Sequence, residues 1–199
     1  MKHAIDIVLL PPDSVSNKAI DYNRSLQSTN PGGIILGRTR NLPHISLLMG
    51  CLSDEKIGDA TSRLDVMAKH KDLEILVKAI RTEMSGTNSV VSFDIERSAE
   101  LVSFHGLIVN QFISILTQDA EEADLNDPPP IAISTLNWIN RFIPHACFNN
   151  FWPHITLGFG HYSTHFVPFH FRASRLAICY LGNHCTCTEI LHEVSLVKA

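Results

Sequence analysis

One five-residue phrase occurs twice in this 199-residue chain, as Pro43-His44-Ile45-Ser46-Leu47 and as Pro153-His154-Ile155-Thr156-Leu157. Apolar residues lead in at Leu42 and Trp152, and glycine follows at Gly50 and Gly158. In each copy a histidine and a hydroxyl residue alternate with aliphatics, the period-two pattern of a half-buried strand. Successive side chains of a strand point to opposite faces. His44 and Ser46 therefore share one face, while Ile45 and Leu47 share the other, toward a core. His154 and Thr156 stand in the same relation to Ile155 and Leu157. Each proline starts its strand, where a missing N–H costs the ladder least.

Two imidazoles, each with a hydroxyl beside it on a polar strand face, can converge on one anion. That combination points to phosphate ester chemistry. The formal net charge of −4 argues against a nonspecific nucleic-acid binder held by phosphate neutralisation, while a short or terminal nucleotide remains compatible with it. Five cysteines without framework spacing fit reduced thiols, so the expected compartment is the cytoplasm. The apolar run Ala4–Leu10 is interrupted by Asp6 and stopped by Pro11-Pro12. It is too short for a membrane span and lacks a signal-peptide cleavage pattern.

The order of elements follows from periodicity and caps. A strand over 4–10 leads to a helix from Asp13 or Ser14 to about Leu26, with Val15, Ala19, Tyr22 and Leu26 on one face. Residues 28–33 form a loop whose Gly32-Gly33 reads as a turn and not as a phosphate cradle, because no P-loop lysine follows. Arg38 and Arg40 precede the first motif strand and read as solvated. After that strand, Ser53 or Asp54 caps a helix to about His70, then strands run over 73–82 and 90–95 about a turn at 85–88. Ser98 opens a long helix whose Leu101, Phe104, Ile108, Phe112 and Ile115 form one apolar stripe. Residues 119–130 read as a solvated acidic connection, and 134–142 as a short helix. The second motif strand and two further strands, over 174–181 and 185–197, complete an α+β chain. Residues 1–199 are expected to form a single domain of two intertwined sheet-bearing lobes, each donating one motif strand to a shared cleft.

A pair of H-x-[ST] strands separated by about half a chain of this size resembles the two-histidine (2H) phosphoesterase superfamily, which includes RNA 2′,3′-cyclic phosphodiesterases often labelled 2′-5′ RNA ligases. The resemblance rests on His44, Ser46, His154 and Thr156 and on the order of elements along nearly the full length. A third match, His161-Tyr162-Ser163, lacks the shared five-residue context. The family implies a bilobal fold of two pseudo-symmetric antiparallel-sheet lobes with outer helices. It also implies that the four residues face a central groove, with a nucleotide or RNA end carrying a cyclic or 2′-5′ phosphodiester as substrate.

In that scheme His44 and His154 are the catalytic pair, since histidine with an ordinary pKa near ~6.5 supplies either acid or base at neutral pH. The expectation is His154 as base and His44 as acid for ring opening. Ser46 and Thr156 would donate to non-bridging phosphoryl oxygens. No metal or other cofactor is required, and no protein partner is evident. Trp152, Phe148 and Phe151 are aromatic candidates for base stacking, with core packing the expected role of at least two of them. Two competing readings remain. One is a zinc site from His184, Cys185, Cys187 and His192. The other is a noncatalytic nucleotide- or phosphate-binding module using the same groove.

Overall fold

The computed structural model describes residues 1–29, 33–85, 88–162 and 165–198, and contains two four-stranded antiparallel sheets with helices on their outer faces. In chain order the elements are β1 (Lys2–Leu10), α1 (Asp13–Thr29), β2 (Ile45–Ser53), α2 (Ile57–Met67), β3 (Leu73–Ser85) and β4 (Asn88–Ile95). They continue with α3 (Ala99–Phe112), α4 (Ile133–Ile139), α5 (Phe142–Ala146), β5 (His154–Phe159), β6 (Phe169–Ala173), β7 (Arg175–Leu181) and β8 (Cys187–Ser195). The first sheet runs β2-β1-β7-β8 and the second β5-β4-β3-β6. The architecture is α+β and bilobal, and each motif strand is the edge strand of its own sheet.

The two sheets share a detail that sets the motifs. Along β1 and β2 the register slips between Ile7/Val8, so that Leu47 is an extra residue between Ser46 and Leu48. Along β4 and β5 it slips between Val91/Ser92, so that Leu157 is extra between Thr156 and Gly158. A one-residue bulge bends a strand and re-aims its side chains. Here it falls directly after the hydroxyl residue in both copies. Both glycines that follow admit close neighbours. A Cβ on Gly50 would stand 2.8 Å from Gln118 Nε2, and one on Gly158, whose φ is +137°, would stand 2.9 Å from Asn23 Nδ2.

The lobes exchange their helices. α1 follows β1 of the first sheet yet packs on β5 of the second, and α3 follows β4 of the second yet packs on β2 of the first. α1 buries Val15, Ala19, Ile20 and Leu26 together with the polar Asn23. Asn23 is fully satisfied: Nδ2 donates to the Ile34 and Leu157 carbonyls at 2.7 Å each, and Oδ1 accepts from the Leu36 amide at 3.0 Å. The expected apolar stripe is wholly buried, although α3 ends at Phe112 and leaves Ile115 beyond it, and Ser98 caps that helix by accepting from the Leu101 amide at 3.2 Å. His105 lies on the same buried face. Its Nε2 accepts from the Phe148 amide at 3.0 Å, and its ring stacks on Phe151 at 3.9 Å. The Leu47 carbonyl bears on the same ring, although Nδ1 makes no hydrogen bond of ordinary geometry. Residues on two helices thus meet the backbone at both bulges.

Several boundaries depart from expectation. The helix expected from Ser53 or Asp54 to His70 begins with a 3₁₀ turn at Asp54–Lys56 and ends at Met67; neither expected residue caps it, and the Asp54 carboxylate accepts instead from the N-terminal amine and bonds His3. The helix over 134–142 is two short pieces, α4 and α5. β6 is an element the periodicity does not announce. It pairs with β3, after which the chain passes through Ser174 and enters β7 of the other sheet. The acidic stretch 119–130 is clipped down: Lys2 meets Asp119 and Asp124, and Arg40 meets Asp127. Arg40 is therefore an anchored residue and Arg38 an exposed one. Gly32, the turn centre at 86–87 and Ser163 lie outside the described residues. No helix among the described residues is long and apolar enough to cross a membrane.

Candidate active site

β2 and β5 run beside one another, each at the edge of its sheet. His44, Ser46, His154 and Thr156 are all partly exposed, whereas Ile45, Leu47, Ile155 and Leu157 are fully buried. The period-two reading of the motif therefore holds in both lobes. His44 and His154 are close enough for the charge of one to weigh on the other.

Both imidazoles are held the same way. Nδ1–H of His44 donates to the Leu42 carbonyl at 2.7 Å, and Nδ1–H of His154 donates to the Trp152 carbonyl at 3.0 Å. A carbonyl can only accept, so each neutral ring keeps its Nε2 lone pair free for proton transfer. Burial pulls His44 down to about 4, against the Leu42 carbonyl, and the neighbouring His154 charge lowers it further. Burial also lowers His154, where the Trp152 carbonyl and the carboxylates of Glu83 and Asp94 pull back the other way.

The surroundings of the two rings differ. Trp152 stacks on His154 at 4.5 Å, donates from Nε1 to Asp94 Oδ1 at 2.9 Å, and has the Arg81 guanidinium 4.9 Å from its ring centre. Lys78 lies 3.3 Å from the other Asp94 oxygen. On the first lobe the neighbour is Asp6, a central-strand residue with 0% exposure. Its Oδ2 lies 2.6 Å from Ser46 Oγ and 3.7 Å from His44 Nε2. Burial pushes the Asp6 carboxyl well above the usual carboxylate range, partly offset by Ser46 and the Leu48 amide. Asp6 escapes a sequence reading because an isolated acid in an apolar strand carries no motif. Its period-two phase, opposite to Ile5 and Ile7, is the available signal.

Asp6, His44 and Cys187 bring an oxygen, a nitrogen and a sulfur within 4.8 Å of one another. Burial raises both the carboxyl of Asp6 and the thiol of Cys187 well above their ordinary ranges. The zinc set expected as an alternative does not assemble among the described residues. His192 Nε2–H donates to Asp65 Oδ1 at 2.8 Å, and His184 lies edge-on against Phe159. Of the aromatic candidates, Phe151 is core, Phe148 is 45% exposed, and Trp152 braces His154. Two surface hollows, of about 680 and 420 Å³, lie elsewhere, beside His70–Glu74 and beside Met1–His3.

Solved structures share this arrangement of elements. The protein TT0787 of Thermus thermophilus superposes with a TM-score of 0.62 at 14% identity, covering 98% of each chain. The fold is that of LigT. Escherichia coli LigT complexed with ATP gives 0.59 at 11% identity, and LigT complexed with phosphate gives 0.58 at 12%, each covering 99% of both chains. No protein-family model matches the sequence, and no curated protein matches it. The likeness to LigT is one of fold, held by a sequence that differs at most positions.

Proposed function

We propose that this chain is a phosphodiesterase acting on a cyclic or 2′-5′ phosphodiester of a nucleotide or RNA end, opening a 2′,3′-cyclic phosphate to the 2′-phosphate. The observation that carries this reading is the matched pair of imidazoles, each locked through Nδ1 to the carbonyl two residues before it, on neighbouring edge strands. Crystals of LigT with phosphate and with ATP support a phosphate-bearing ligand for this fold. The five free thiols suit a reducing, cytoplasmic setting. The exchanged helices support residues 1–199 as one folding unit.

In the reaction, water attacks phosphorus, the bond from phosphorus to O3′ breaks, and O3′ takes a proton. One histidine removes the proton from water and the other supplies it to O3′, so both protons are handled by the chain's own side chains. The sequence alone puts the base at His154; the charges around the two rings favour the opposite pairing. His44 is the more strongly held in its neutral, proton-accepting form, while Asp94 and Glu83 favour the protonated form of His154. We therefore assign His44 as base and His154 as acid for hydrolysis, with the roles reversed for ring closure. Ser46 and Thr156 donate to the non-bridging oxygens. The test is turnover of a panel of 2′,3′-cyclic, 3′,5′-cyclic and 2′-5′-linked nucleotides in EDTA. Hydrolysis of a member supports the reading; binding without hydrolysis across the panel transfers it to a noncatalytic module.

A further inference from the structure

A serine hydroxyl has one proton, and in the first lobe two groups compete for it. Ser46 Oγ is 2.6 Å from Asp6 Oδ2, so that contact contains a proton from one partner or the other. If Asp6 is a carboxylate, Ser46 must give its proton to Asp6 and turns only lone pairs toward a phosphate. An ionised Asp6 would also set a negative charge beside the substrate's own. We propose that Asp6 is the positioning residue for Ser46: as a neutral carboxylic acid it donates to Ser46 Oγ and thereby releases the Ser46 hydroxyl proton to a phosphoryl oxygen. The identity of that anion rests on the phosphodiesterase reading above.

The environment of Asp6 supports the neutral form. It is fully buried on β1, on the face that carries the small apolar cluster of Val8, Leu10, Ala177, Cys179 and Cys187. The titratable groups facing it are His44 just before β2, Cys179 on the neighbouring β7, Cys187 on β8, Cys185 before β8 and Cys147 after α5. None is a lysine or arginine, and burial pushes Cys147 to about 12, Cys185 higher still and Cys187 well above the ordinary thiol range. Among the described residues, an anion at Asp6 has no permanent cation to offset its lost hydration. The second lobe has no equivalent. Taking the two bulges as equivalent points, Val90 stands where Asp6 does, and Thr156 faces Ser92 across the ladder. A neutral Asp6 also leaves His44 uncharged, as its role as base requires.

The experiment compares the wild type with Asp6→Asn, Asp6→Leu and Ser46→Ala. The amide of Asp6→Asn can donate to Ser46 Oγ as the neutral acid does, so its kcat stays within about threefold of wild type while Asp6→Leu falls about as far as Ser46→Ala, on the order of 10²-fold. Adding Asp6→Leu to Ser46→Ala costs nothing further. Asp6→Asn as slow as Asp6→Leu would overturn the proposal. Infrared spectroscopy of the wild type at pH 7 provides a readout free of any substrate. A protonated-carboxyl band that vanishes in Asp6→Asn is expected, and its absence from the wild type overturns the proposal. Failure of every phosphodiester to turn over would count against the functional reading alone, leaving the infrared result to decide the state of Asp6.

Discussion

Asn23 Nδ2 donates to the Leu157 carbonyl at 2.7 Å, so a helix that follows the first sheet holds the extra residue of the motif strand in the second. The same side chain satisfies Ile34 and Leu36. Asn23→Ala removes the side-chain partner of the Leu157 carbonyl and the Leu36 amide, while the Ile34 carbonyl keeps Gln27 Nε2 at 2.8 Å, and is expected to cost about 3 kcal/mol in urea unfolding, with turnover falling as β5 loosens. A cost under about 1 kcal/mol would show that Asn23 is not the brace described.

Substituting either histidine should separate chemistry from folding. His44→Ala and His154→Ala are each expected to lower kcat by about 10²–10⁴-fold. Their circular dichroism and unfolding midpoints should stay close to wild type, since both side chains sit at the partly exposed edge of the sheets. Loss of folded signal in both variants would mean that the histidines serve the fold.

Asp94 offers a test of role assignment. Its carboxylate raises the pKa of His154, so Asp94→Asn should lower it by about one pH unit or less, Lys78 already sharing the charge. If His154 is the acid, the alkaline limb of the rate profile moves to lower pH and the acid limb stays. Movement of the acid limb instead would return the base to His154.

Acid should weaken the fold through histidine. His44 and His105 are pulled to about 4 by burial in the folded chain, against about 6.5 when unfolded. Above about 6.5 they are neutral in both states and their contribution is fully present. As pH falls from there toward 4 the unfolded chain takes up protons that the folded chain refuses, and each histidine removes up to ~1.4 kcal/mol per pH unit. Unfolding measured between pH 7 and 4.5 should show this slope, and His105→Asn should make it shallower. A slope unchanged in that variant would contradict the buried, neutral state of His105.

The four motif residues and the faces of their strands are legible because a half-buried strand writes its burial into alternate positions. Ile45 and Leu47 against His44 and Ser46 is such a record. The apolar stripe of α3 is legible for the same reason at helical period. The helix exchange is not, since nothing in the spacing of Val15, Ala19 and Leu26 says which sheet they cover. β6 is hidden because Phe169-His170-Phe171-Arg172-Ala173 is short and runs almost directly into β7. Asn23, His105 and Asp6 are polar residues on buried faces, and only the tertiary structure shows what partners them. The clipped acidic stretch reads as solvated because its cations, Lys2 and Arg40, are distant in sequence.

The most direct test of two-histidine phosphodiester chemistry is the product formed from 2′,3′-cyclic AMP in the presence of EDTA, resolved by phosphorus NMR, for wild type beside the His44→Ala/His154→Ala double variant. The expected result is steady conversion to the 2′-phosphate by the wild type and none above the uncatalysed rate by the folded double variant. Undiminished hydrolysis by the double variant would contradict the account.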